Sequence, residues 1–132
     1  RFYEALADPT RCGRVYRVPG LLATSMDESV SRGFLADDRN AGQPKVLWTI
    51  QTCVDEQGRD NASLKPVHVA YLSHTEVNGE EELLFSAFSS FRVHRVERSD
   101  SPASPGTPHQ ITVVAVYDNV AAPEYVPTAP WQ

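Results

Sequence analysis

Between residues 14 and 117 the sequence alternates apolar and polar side chains over short runs. Each run is closed by proline, glycine or a polar loop. The clearest run is residues 45–53, where Val46, Trp48 and Ile50 fall on one side and Thr49 and Gln51 on the other. Side chains repeat every two residues along a strand, so this pattern commits the chain to half-buried β structure. Runs of the same kind cover 14–18 (stopped by Pro19-Gly20), 21–24, 66–72, 83–85, 90–96 and 111–117. Residues 1–6 fit a short edge strand that Asp8-Pro9 breaks. One helix start stands out. Ser25 lies three residues before Glu28, the capping-box spacing, and Asp27 falls in the first turn. Val30 and Phe34 are four apart and share a face, Gly33 weakens the helix, and the polar run from Asp37 to Asn40 ends it. The spacing predicts a helix over 26–37. The loop 99–108 carries Pro102, Pro105 and Pro108, which forbid strand pairing. The tail from Ala121 carries Pro123, Pro127 and Pro130 and reads as extended. There is no internal repeat. The sum is six to eight strands and one helix, a mixed α+β domain dominated by sheet.

The 132 residues suffice for one domain, and 41% apolar with 22% charged excludes a wholly disordered chain, a collagen and a coiled coil. No apolar run approaches the roughly 20 residues of a membrane helix. Seventeen acids against twelve bases leave a net charge of −5, which argues against general nucleic-acid binding. Cys12 and Cys53 cannot form a disulfide framework; two buried thiols in a reducing compartment are expected. The first six residues lack a signal-peptide core and there is no initiator Met, as expected of a processed or excised piece. These features point weakly to an intracellular protein and leave a secreted effector open. His68, His74, His94 and His109 lack metal-ligand spacing, so no metal is expected.

Three groups of residues bear on chemistry. Glu80-Glu81-Glu82 stands directly before the 83–85 run. If Glu82 opens that strand, Glu80 and Glu82 project to the same side. Two carboxylates held so close suit cleavage of a glycosidic bond, one stabilising a developing cation and the other orienting a nucleophile. The same triplet also reads as a solvated acidic turn. Ala23-Thr24-Ser25 offers a polar ledge, or simply a strand end and a helix cap. Ser73 and His74 are adjacent on an extended run and point oppositely, so they do not make a nucleophile pair. Trp48 reads as core.

Taken in order, these pieces resemble the mono-ADP-ribosyltransferase family of the Arg-Ser-Glu class. Gly20-Leu21-Leu22-Ala23-Thr24-Ser25, followed by Val30 and Phe34, is similar to that family's Ser-Thr-Ser strand and helix. Gly79-Glu80-Glu81-Glu82-Leu83-Leu84-Phe85, then Phe91-Arg92-Val93, is similar to its Glu-x-Glu turn and the strands that follow. The resemblance covers residues 1–120, read as an ADP-ribosyltransferase-like catalytic domain with a shortened N-terminus. Residues 121–132 are read as a proline-rich tail. It implies an α+β fold of two packed, mostly antiparallel β-sheets forming an NAD cleft, with few flanking helices.

The resemblance also implies roles. Glu82 would be the catalytic glutamate, holding a ribose hydroxyl of NAD and stabilising the cation formed as nicotinamide leaves. Glu80 would engage the guanidinium of an arginine acceptor. Thr24 and Ser25 would shape the NAD pocket, and Phe34 would pack beneath its nicotinamide side. For the NAD-contacting arginine there are two candidates. Arg1, twenty-two residues before Ala23, fits the family spacing better than Arg17, six before it. Ala23 departs from the family, which has a serine there that helps position the catalytic glutamate. The implied activity uses NAD as a substrate and a protein acceptor, with arginine as the first expectation. No nucleic acid or membrane is involved. An inactive interaction module of the same fold and an NAD glycohydrolase are the alternatives.

Overall fold

The computed structural model describes residues 13–37, 39, 41–55, 59–61, 69–72 and 81–116. The expected strand over 1–6, Arg1, Cys12, His68, Ser73, His74, Glu80 and the tail 121–132 lie outside the described residues. Seven strands and one helix are present among those described: β1 Val15–Val18, β2 Leu22–Ser25, α1 Glu28–Leu35, β3 Val46–Gln51, β4 Val69–Leu72, β5 Glu82–Phe85, β6 Ser89–Glu97 and β7 His109–Ala115. None of the described helical residues makes a segment long and apolar enough to cross a membrane.

The strands form two sheets, one in the order β1-β6-β7-β3 and one in the order β2-β5-β4. All pairings are antiparallel except β3 with β7, where Val46 is opposite His109 and Gln51 opposite Val114. The expected α+β architecture of two mostly antiparallel sheets is therefore present. The loop 99–108 stays outside the ladder, as its prolines require. Its Pro102 carbonyl accepts a 2.7 Å hydrogen bond from the Lys45 N–H, which fixes the entry to β3.

Period-two alternation decides which side chains are inside. Tyr16 and Val18 of β1, Phe91 and Val93 of β6, and Ile111, Val113 and Ala115 of β7 face the second sheet and are buried. Phe85 of β5 completes this core, with Leu22 and Leu83 packed against it. The Phe85 and Phe91 rings meet edge to face at 5.2 Å and join the sheets. Each large apolar side chain fully buried there contributes about 1.5–3 kcal/mol. Trp48 packs against this core through one side, as expected, while staying half-exposed.

The helix corrects two expectations. It spans Glu28–Leu35, shorter than 26–37, and Asp27 rather than Ser25 is its cap. The Asp27 carboxylate accepts from the Ser29 N–H at 2.8 Å, while the Ser25 hydroxyl accepts from the Asp27 N–H at 3.0 Å. Ser25 is still strand, paired to Glu82, so it cannot also begin the helix. Glu28 in the first turn pairs with Arg32 one turn on, at 2.7 Å. Cys53 is a free thiol, half-buried rather than buried.

Candidate active site

Among the described strands β2 pairs with β5 alone, and α1 leaves directly from its end to pack against β2 and β3. This arrangement opens a cleft of about 590 Å³ between β2, α1 and β3. The volume is within the range of sites that enclose small ligands. Its lining includes Thr24, Ser25, Ser31, Phe34, Trp48 and Ile50. A smaller cavity of about 210 Å³ adjoins it, bounded by Ala23, Thr24, Ser25, Val30, Ser31, Phe34 and Glu82.

The β2–β5 register brings the predicted residues together. Ser25 is directly opposite Glu82, Thr24 opposite Leu83 and Ala23 opposite Leu84. Directly opposed residues of an antiparallel pair share a face, so the Ser25 and Glu82 side chains are neighbours. The Thr24 hydroxyl donates a 2.8 Å hydrogen bond to the Leu83 carbonyl. This bond clamps β2 to β5 beside Glu82. The Met26 N–H bonds the Glu81 carbonyl at 2.8 Å and extends the clamp past the strand end. Phe34 is 67% exposed, although it lines both cavities. A large aromatic ring left open beside a cleft is available to a flat ligand.

The electrostatics of the mouth are acidic. Asp27 and Glu81 are exposed beside Glu82, whereas Glu28 is paired with Arg32. Hydrogen bonds from the Ser29 side chain and backbone hold the Asp27 carboxyl below the usual carboxylate range, so it stays ionised. Among the described residues, no three His, Cys, Asp or Glu side chains gather as metal ligands would.

Of the six expected site residues, Thr24, Ser25 and Phe34 line both cavities and Glu82 the smaller one, while Arg1 and Glu80 lie outside the described residues. Arg17 lines neither cavity. Its neighbours Tyr16 and Val18 face the core, so Arg17 projects from the other side of the sheet. Ser31 was missed by the sequence reading. It stands three residues before Phe34 on the same helical face, and that spacing is the signal that would have found it.

The chain has an ADP-ribosyltransferase-like fold. Among solved structures it is similar to the Vis toxin, an ADP-ribosyltransferase from Vibrio splendidus, with a TM-score of 0.58 and 20% identity over 91% of this chain and 46% of that one. The same toxin in complex with agmatine gives 0.55 and 21%, over 85% and 43%. C3stau2 from S. aureus with NAD gives 0.50 and 20%, over 87% and 46%. The chain thus spans less than half the length of these structures. No protein-family model and no curated protein matches it.

Proposed function

We propose that the chain is an NAD-dependent mono-ADP-ribosyltransferase that moves ADP-ribose from NAD to an arginine side chain of a protein acceptor and releases nicotinamide. The observation that carries this reading is the opposition of Glu82 and Ser25 in a cavity shared with Thr24 and Phe34. The likeness of fold supports it, as do the NAD in C3stau2 and the agmatine, a guanidinium compound, in the Vis toxin.

In this reading NAD lies along the cleft with its nicotinamide end against Phe34, and Arg1 is the NAD-contacting cation. The glycosidic C–N bond breaks with its electron pair leaving on nicotinamide, and positive charge develops on the ribose. The Glu82 carboxylate holds a ribose hydroxyl and stabilises that charge, and it does so more strongly in a cleft that excludes water. Glu80 pairs with the acceptor guanidinium, whose planar fork matches a carboxylate. A guanidinium nitrogen attacks the anomeric carbon and then gives up a proton. Ala23 removes the hydroxyl that the resemblance leads one to expect beside the glutamate. Thr24 is committed to the Leu83 carbonyl, so on β2 the hydroxyl left to face Glu82 is that of Ser25.

Labelled NAD with agmatine as acceptor tests the reading. Glu82→Gln should cut nicotinamide release by about 100-fold or more. Glu80→Gln should keep NAD hydrolysis and lose transfer to agmatine. Equal release from the parent and Glu82→Gln would remove the catalytic assignment. Failure of the folded chain to bind NAD in a calorimeter would leave the interaction module as the reading.

A further inference from the structure

The cleft and the smaller cavity beside it share the lining residues Ala23, Thr24, Ser25, Ser31 and Phe34. Thr24, Ser25 and Ser31 carry hydroxyls. The Thr24 hydroxyl donates to the Leu83 carbonyl, and the Ser25 hydroxyl accepts from the Asp27 N–H, so the backbone engages both. Ser31 differs from them. Its N–H reaches the Asp27 carbonyl at 3.5 Å within the helix, but among the described residues its hydroxyl meets no hydrogen-bond partner. The residue is half-buried, on the wall of a space large enough to admit a ligand. A hydroxyl that keeps its proton and its lone pairs free on such a wall can bond what enters.

The helix determines what lies next to it. Phe34 follows Ser31 by three residues, so the two are neighbours on one face of α1. Helical side chains lean toward the N-terminus, which carries the Phe34 ring back over the turn that bears Ser31. A flat ring resting on Phe34 therefore has its rim at the Ser31 hydroxyl. The smaller cavity, of about 210 Å³, is below the size of sites that enclose whole ligands, so it takes one ring-sized group of a dinucleotide. Glu82 borders the same cavity, which puts that group beside the carboxylate.

We propose that Ser31 recognises the carboxamide of NAD: the nicotinamide ring rests on Phe34, and the Ser31 hydroxyl hydrogen-bonds the amide at the ring's rim. This rests on the reading of the chain as an NAD-dependent transferase and adds to it the residue that selects the base. Once its nitrogen is bonded to ribose, the ring offers one hydrogen-bonding group, the carboxamide. Its carbonyl accepts and its NH2 donates, and a serine hydroxyl complements either.

Calorimetric titration of the folded chain with NAD and with ADP-ribose tests the assignment. ADP-ribose keeps the phosphates and riboses of NAD and lacks the nicotinamide. Ser31→Ala should weaken NAD binding about fivefold and leave ADP-ribose binding unchanged. Alanine is the better helix former, so the variant should fold as the parent does. NAD binding unchanged in Ser31→Ala overturns the proposal and leaves the transferase reading in place. A loss shared equally by NAD and ADP-ribose also overturns it, because Ser31 then touches a part that both ligands have. A parent chain that binds neither ligand overturns the transferase reading and the role of Ser31 with it.

Discussion

The Thr24 hydroxyl donates to the Leu83 carbonyl at 2.8 Å, immediately beside the opposed pair of Ser25, which follows Thr24, and Glu82, which precedes Leu83. The clamp and the candidate catalytic pair are therefore one unit. Thr24→Val keeps the shape and removes the hydroxyl. Unfolding in urea should show a loss of about 1 kcal/mol. Nicotinamide release should fall further than that loss explains, because Glu82 is then held less firmly against Ser25.

Phe85 and Phe91 join the two sheets by an edge-to-face contact. Each is 2% exposed, so Phe85→Ala and Phe91→Ala should each destabilise by about 3–5 kcal/mol. Their double-mutant cycle should leave a coupling of about 0.5–1.5 kcal/mol, read from denaturant midpoints.

Gly33 lies inside α1 with an ordinary helical φ and open space where a Cβ would stand. Gly33→Ala should stabilise the protein by about 0.4–1 kcal/mol, chiefly by restricting the unfolded chain. A thermal melt reads the gain, and NAD binding should be unaffected.

His109 opens β7, and its Nδ1 accepts a 3.0 Å hydrogen bond from the Ser99 N–H. Burial and the nearby Arg98 cation push the imidazole pKa below its usual value of 6.5. The unfolded chain then binds the proton more readily than the folded one, so stability rises with pH across that interval. The contribution is complete above pH 6.5 and is lost as pH falls through the lowered value. Urea midpoints should drop on acidification from pH 7.5, and His109→Gln, which stays neutral, should flatten that part of the profile.

Most of the strands were legible because each has a clear two-residue period. Residues 14–18, 45–53 and 90–96 map onto β1, β3 and β6 with end shifts of a residue or two. The parallel seating of β3 on β7 was not legible, since no local pattern says which distant strand a strand joins. The helix cap was misplaced because Ser25 and Asp27 are both good caps, and strand pairing of Ser25 to Glu82 decided between them. Arg17 looked available in its strand. Its flanking Tyr16 and Val18 already determined that it would face away from whatever they face.

The four-stranded sheet joins residues that are far apart in the chain: Arg17 sits against Ser90, and Val46 against His109. Among the described strands, neither outer strand has a partner until the hairpin of β6 and β7 exists. On a ribosome, β1 and β3 therefore leave the exit tunnel before the strands that pair with them. The sheet can close only late in synthesis, when residues 89–115 are free to pair.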